Sequence, residues 1–231
     1  MSKSDIARSL IDTLKNSDLQ RALAGVGEVV ADEFTEEGLL KDLPVIGTIL
    51  SLGRFGLSVP DRLFMRKLRR FLLEFEAVPA RERDAMIAKI EESGKSRVEV
   101  GEKLLCILDA CEDHAAASIV GQLFLAFLQE RLSYDEFVRS SRASRMVGTE
   151  DFMWFVKHGD GVWGLEEAGE LLAAGLLYLC EPEINLAHTS HRGSMVKGMK
   201  PMLAKSSSLG SKIRDVLEPT TTKSAPRVDG G

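Results

Sequence analysis

A nearly uncharged run of 17 residues, Leu43 to Val59, interrupts an otherwise charge-rich chain of 231 residues. Apolar surface of this size is stable only in a protein core, across a bilayer or against a lipid surface. The run is at the lower length limit for a helix that crosses a membrane, and it contains Pro44, three glycines and the charged Arg54. A charge within so short a span is costly, so we expect either a core helix or the apolar half of a lipid-docking hairpin.

The segment that follows Pro60 is basic and amphipathic. Six bases lie between Arg54 and Arg70 against one acid, a local charge of +5 in a chain whose net charge is -5. On a helical wheel the aromatic residues share one side and the arginines the other. Each base near an anionic leaflet contributes about 1 kcal/mol of attraction. The candidate lipid-binding residues are Arg54, Arg62, Arg66, Lys67, Arg69, Arg70, Phe64 and Phe71.

Two alternatives to constitutive lipid docking stay open for this region. The apolar run also fits the close-packed centre of a helical bundle, with the basic face as ordinary solvent surface. The protein would then be a soluble adaptor that binds a partner protein. In addition, six acids lie between Glu28 and Asp42, directly before the run. Pairing of these acids with the basic face would mask it and create a switch between a free and a lipid-bound form.

Helical spacing of apolar residues dominates the first 147 residues. They recur every three or four positions in segments such as Ala115 to Arg131. Pro60 marks a fresh helix start, and Ser133 with Glu136 forms a capping box before a helix from Tyr134 to Met146. The pattern predicts a mainly α protein, with a bundle of seven or eight helices over residues 1–147.

The chain changes character after residue 147. Two short helices, Glu150 to His158 and Glu166 to Ala174, precede two expected strands around Glu181-Pro182-Glu183. Helix, helix and hairpin outline a small winged-helix-like module over residues 148–204. The composition then turns to Ser, Thr, Lys, Pro and Gly, which predicts a flexible basic and polar tail over residues 205–231.

A winged-helix outline raises the question of DNA binding. The helix that would enter a groove carries Glu166, Glu167 and Glu170 and no Lys or Arg, so DNA phosphates would repel it. We expect this module to bind protein or to pack on the bundle. Nucleic-acid binding is the weaker alternative and would rest on the basic residues that follow: Arg192, Lys197, Lys200, Lys205, Lys212 and Arg214.

Few residues indicate catalysis or metal binding. Cys180, His188 and His191 are of types that bind zinc, but no second cysteine pair or acidic ligand lies at a fixed spacing, which favours ordinary loop histidines. The sequence has no nucleophile elbow and no phosphate-binding glycine loop. We therefore expect a non-enzymatic protein without metal or cofactor. Three cysteines without a secretory signal indicate a reduced, cytoplasmic protein.

Two stretches, LPVIGTILSLGRFGLSVPDRLFMRKLRRFLLEF and VGEKLLCILDACEDHAAASIVGQLFLAFLQERLSYDEFVRSSRAS, resemble a recurring pattern in helical bacterial proteins of unassigned function. The resemblance covers Leu43 to Met146 and consists of core positions and a capping box, so it transfers no catalytic residue. It implies a bacterial protein, cytoplasmic or peripheral at the inner membrane, in a group for which roles in defence against phage have been suggested. Our expectation is a protein that binds anionic membrane as a sensor or effector in such defence.

Overall fold

The chain divides into a first unit, residues 1–145, and a second unit, residues 146–231. The computed structural model describes residues 3–24, 43–51, 59–92, 95–159, 161–180 and 202–218. Most of these residues are helical, and a small three-stranded antiparallel sheet lies in the second unit. The prediction of a mainly α protein with a helical bundle is confirmed.

Helices of the first unit begin close to the signals found in the sequence. Pro60 is in the first turn of α4, and Ser133 and Glu136 form the predicted capping box. The Glu136 amide donates to Ser133 Oγ at 3.2 Å, and the Ser133 amide donates to Glu136 Oε2 at 2.8 Å. The described helices are α1 (Lys3–Lys15), α2 (Leu19–Ala24), α3 (Pro44–Ser51), α4 (Val59–Leu73), α5 (Ala80–Glu92), α6 (Arg97–Asp109), α7 (His114–Leu128) and α8 (Tyr134–Val147).

Two glycines permit close helix crossings in the first unit. Helix α1 lies against α3 and α6, and α4 lies against α7. A Cβ atom at Gly101 of α6 would lie 2.5 Å from the carbonyl oxygen of Ala7 in α1. A Cβ atom at Gly121 of α7 would lie 2.7 Å from Cγ of Glu74, just after α4. A larger residue at Gly101 would therefore force α1 and α6 apart, whereas one at Gly121 would first displace the Glu74 side chain.

The core of the first unit contains a cluster of aromatic side chains from α4, α7 and α8. Phe71 and Phe75 have ring centroids 5.3 Å apart, and Phe71 lies 5.9 Å from Phe124. Phe124 in turn contacts Phe137 at 5.3 Å. All four side chains are fully buried, so the apolar face of α4 points into the bundle. Burying rings of this size is a main source of stability in a bundle.

The first half of the apolar run forms α3 and belongs to the core. Val45, Ile46 and Ile49 are buried where α3 lies against α1. The Val45 amide donates to Oγ1 of the buried Thr13 at 2.9 Å, which gives a partner to an N–H group that the helix itself leaves unpaired. Residues 52–58, including Arg54, lie outside the described residues, as does the acidic stretch from Glu28 to Asp42.

In the part of the chain that the structure describes, no helix combines the length and the apolar character needed to cross a bilayer.

The second unit combines three helices with a short sheet. Its described elements are α9 (Thr149–His158), β1 (Trp163–Gly164), α10 (Leu165–Ala173), β2 (Leu177–Cys180), β3 (Leu203–Ser206) and α11 (Ser208–Leu217). The strand order is β1-β3-β2, and both pairings are antiparallel. Paired residues place Trp163, Ala204 and Leu179 on one face of the sheet. Ala204 and Trp163 are buried there, against the helices of the unit.

The C-terminal part of the chain differs from the prediction in two respects. The partner of β2 is β3, and the strand expected directly after Glu183 lies outside the described residues. Residues 205–217, assigned to the tail from their composition, complete β3 and form α11. Helix α11 is amphipathic, with Leu209, Ile213 and Val216 buried, so this segment has an apolar face despite its polar composition. Residues 219–231 lie outside the described residues.

Candidate functional site

Helix α4 has a buried inner face and an exposed basic outer face. Its inner residues Met65, Leu68, Phe71 and Leu72 are buried, and the helix lies against α7. Asp61 in the first turn interacts favourably with the positive end of the helix dipole. The inner face therefore fixes the orientation of α4, and with it the direction in which the arginines point.

The outer face of α4 is formed by Val59, Arg62, Leu63, Arg66 and Arg70, and it is called here the outer stripe. All five residues are exposed, with Val59 at 69% and Leu63 at 48%. With a rise of about 1.5 Å per residue, the three arginines cover about 12 Å along the helix axis. The outer stripe thus combines three exposed positive charges with two exposed apolar side chains.

The remaining predicted lipid-binding residues have different surroundings. Lys67 is half-buried and its Nζ atom donates to the carbonyl oxygen of Asp109 at 3.1 Å, and Arg69 is also half-buried. Phe64 is half-buried and lines a cavity. Phe71, also predicted to contact lipid, is fully buried in the aromatic cluster and is not accessible to lipid in this fold.

Val59 and Leu63 belong to the outer stripe but were not among the residues predicted from the sequence. Val59 lies within the arc of Arg62, Arg66 and Arg70 when residues are placed at about 100° intervals around α4, and Leu63 lies about 20° beyond its edge at Arg70. The helical wheel therefore contains the information that places Val59 and Leu63 on the basic side. Two aliphatic residues among arginines are, however, less conspicuous than a whole face of aromatic residues. The large apolar side chains exposed on α4 are therefore aliphatic, whereas Phe71 is buried.

The second unit exposes several large apolar side chains. Trp154 of α9 is 51% exposed, stacks on His158 at 4.7 Å and contacts the buried Trp163 edge-on at 5.0 Å. Further exposed apolar residues in this unit are Met146, Val162, Leu165, Tyr178, Leu179 and Met202. Such residues, when grouped, mark surfaces that bind other proteins.

The acidic helix of the second unit presents its charge to solvent. Glu166, Glu167 and Glu170 of α10 are all exposed, which would repel the phosphates of a nucleic acid. Arg214, counted among the basic residues of the C-terminal segment, donates from Nε to the carbonyl oxygen of Val156 at 2.8 Å. This bond caps the end of α9, so Arg214 has a structural role.

Metal-binding residue types do not come together in the described ranges. There, no three His, Cys, Asp or Glu side chains are grouped so that they could hold an ion. Cys180 is half-buried at the end of β2, and His188 and His191 lie outside the described residues. The three cysteines are free thiols, with Cys106 exposed and Cys111 buried.

Comparisons of the chain with protein-family models, with curated proteins and with solved structures found no match.

Proposed function

We propose that this chain is a non-enzymatic, peripheral membrane-binding protein that docks on anionic lipid through the outer stripe of α4. The observation that carries the proposal is the exposure of Arg62, Arg66 and Arg70 on the same stripe as Val59 and Leu63. Guanidinium groups bind phosphate through paired N–H donors, and aliphatic side chains between them can enter the boundary between headgroups and acyl chains.

Docking of this kind leaves the core of the first unit intact. The inner face of α4 stays against α7, and α3 stays against α1, so no apolar helix has to leave the bundle. This differs from the hairpin expected from the sequence, in which the whole segment Leu43 to Phe75 would face lipid. The proposed contact is the surface of a folded helix.

The energetics predict a weak and salt-sensitive interaction. Three arginines contribute about 3 kcal/mol in total near an anionic surface, since each adds about 1 kcal/mol. Leu63 and Val59 add a smaller apolar contribution, because each is a single side chain that is already partly covered by the protein. Stable attachment would therefore need several copies on one surface or a second contact elsewhere in the chain.

Flotation of the full-length protein with phosphatidylserine-containing vesicles at low salt tests this proposal. The wild type should float with anionic vesicles and stay behind with purely zwitterionic ones. A triple variant, Arg62→Glu, Arg66→Glu and Arg70→Glu, should lose binding by at least about two orders of magnitude, because the loss of three attractions alone has that effect and repulsions are added.

A matched control reverses three exposed arginines on α8 (Arg139, Arg142 and Arg145). It changes the net charge by the same amount but leaves the outer stripe of α4 untouched. Equal loss of flotation in both triple variants would refute a specific role for α4 and would indicate a nonspecific effect of net charge.

The second candidate function is an adaptor that binds a partner protein through the second unit. The exposed Trp154, Tyr178 and Leu179 favour it. The strand order, in which β1 pairs with the last strand rather than with β2, supports a winged-helix-like arrangement with α10 as its acidic helix. Such a module with an acidic outer helix would suit a basic protein surface better than DNA. A role in phage defence, implied by the sequence resemblance, is compatible with either candidate.

Substitution of Tyr178 and Leu179 by glutamate separates the two candidates. It should abolish co-purification with a product of a neighbouring gene if the adaptor proposal is correct, while leaving vesicle flotation unchanged. Retention of the partner by this variant would exclude β2 as the binding surface.

A further inference from the structure

A cavity of about 360 Å³ lies in the first unit between α1, α3, α4 and α6. Much of its described lining is apolar and consists of Ile6, Ile49, Pro60, Phe64 and Leu105. This volume is within the range of small-molecule binding sites. The cavity is on the side of α4 that carries Phe64, away from the outer stripe.

Three carboxylates share the same cavity. Asp61 comes from α4, and Glu102 and Asp109 come from α6. Glu102 accepts a hydrogen bond from Ser4 Oγ at 2.6 Å, which helps to hold its carboxylate at the cavity. Asp109 is the last residue of α6, where the helix dipole disfavours a negative charge. Its charge therefore does not stabilise the helix. Lys67 Nζ, which donates to the Asp109 carbonyl oxygen at 3.1 Å, offsets part of that cost, and a bound cation would offset more of it.

We infer that this cavity binds a small amphipathic amine, with its ammonium group beside the carboxylates and its aliphatic part on the apolar lining. An ammonium offers three N–H donors and a compact positive charge, which suits carboxylates contributed by two helices. The apolar residues would exclude a fully hydrated metal ion but would favour a short hydrocarbon chain. This ligand has the opposite charge to a lipid phosphate, so the inference does not depend on docking through the outer stripe.

Cys106 provides a reporter, because it is exposed and lines the cavity. The full-length protein is treated with iodoacetamide at constant pH, alone or with hexylamine, hexanol or hexanoate, and alkylation of each cysteine is followed by mass spectrometry. Hexylamine should slow alkylation of Cys106 about fivefold or more at saturation, hexanol less, and hexanoate not at all. Cys180, in the second unit, is the internal control. If hexylamine consumed the iodoacetamide, alkylation of Cys180 would slow as well.

Charge-neutralising variants connect the protection to the carboxylates. Glu102→Gln combined with Asp109→Asn should raise the half-protecting concentration of hexylamine about fivefold. Asp135→Asn is the matched control, since Asp135 is an exposed acid that lines a neighbouring groove but not this cavity. If the double variant unfolds, Asp109→Asn alone serves, because removing a charge from the end of α6 does not weaken that helix.

Three outcomes would overturn the inference. The first is the absence of protection by hexylamine up to its solubility limit. The second is protection by hexanol or hexanoate equal to that by hexylamine, because the carboxylates would then not select the ligand. The third is an unchanged half-protecting concentration in a folded variant that lacks the carboxylates of Glu102 and Asp109.

Discussion

Arg83 shows how a single charged residue can be required in the interior of the first unit. It is 1% exposed, and its guanidinium donates to the carbonyl oxygens of Leu14 and Asn16, each at 2.6 Å, and to that of Val78. Two of these oxygens lie at the C-terminal end of α1, where carbonyl groups lack helical partners. Burial lowers the pKa of Arg83, and the nearby charge of Asp84 opposes this effect. The side chain thus joins the end of α1 to the start of α5.

Replacing Arg83 by methionine should therefore destabilise the protein strongly. Three carbonyl oxygens would lose their donor in a buried setting, which we expect to lower the free energy of unfolding by about 3 kcal/mol. Arg83→Lys should recover part of the loss, because a single ammonium cannot reproduce the planar arrangement of donors. Urea unfolding followed by circular dichroism measures both values. Wild-type stability in Arg83→Met would show that these hydrogen bonds are unimportant.

Cys111 makes the stability of the first unit sensitive to alkaline pH. Burial disfavours the thiolate and raises the pKa of Cys111 from 9.0 to about 11, with smaller effects from Lys67, Asp113 and Arg145. Between pH 9 and pH 11 the unfolded chain releases this proton while the folded chain keeps it, so stability falls as the pH rises. The contribution of Cys111 is complete below pH 9.

The prediction is that Cys111→Ala reduces the loss of stability between pH 9 and pH 11. Because lysines and tyrosines also titrate there, the relevant quantity is the difference in pH dependence between the wild type and this variant. Cys106→Ser is the control, since that thiol is exposed. Parallel curves for the wild type and Cys111→Ala would contradict a buried, neutral thiol.

At the scale of elements, α4 shows what an amphipathic pattern can and cannot predict. The pattern predicted a helix with aromatic and basic sides, and both sides exist in the structure. An apolar face, however, has the same periodicity whether it packs against protein or lipid. Phe71 was therefore assigned to lipid, although Phe75 and Phe124 cover it in the core.

The sheet of the second unit illustrates a different limit of prediction from sequence, which is the pairing of distant strands. Helix bounds were predictable because capping residues and prolines are local signals. The sequence of β3, Leu-Ala-Lys-Ser, has little β propensity, and its partner β2 ends more than twenty residues earlier in the chain. Pairing over that distance leaves no local signal, so the segment was assigned to the tail.

Two single variants, one at Phe71 and one at Leu63, test the assignment of the inner and outer faces of α4. Phe71→Ala should lower the free energy of unfolding by about 4 kcal/mol, because it removes a fully buried ring. Leu63→Ala should change it by less than about 0.5 kcal/mol, because this side chain is exposed. Thermal or urea unfolding of both variants measures these two changes in the free energy of unfolding. Similar losses for the two variants would mean that the assignment of the inner and outer faces is incorrect.

At the scale of the whole molecule, the charge distribution matters more than the net charge. The chain carries -5 overall, so its attraction to an anionic surface depends on where the positive charges lie. The outer stripe of α4 concentrates three exposed arginines in one patch, whereas α10 exposes three glutamates in the second unit. If docking is as proposed, the first unit should bind anionic lipid through α4 and release it as salt screens the arginines.

The most direct test places a polarity-sensitive fluorophore at residue 63. Leu63→Cys is labelled in a Cys106→Ser, Cys111→Ala and Cys180→Ser background, and Ala88→Cys, exposed on α5, is the control. On addition of anionic vesicles at low salt, the label at position 63 should shift to the blue and brighten, and the label at position 88 should not change. An unchanged emission at position 63, under conditions where the protein floats with the vesicles, would contradict docking through the outer stripe.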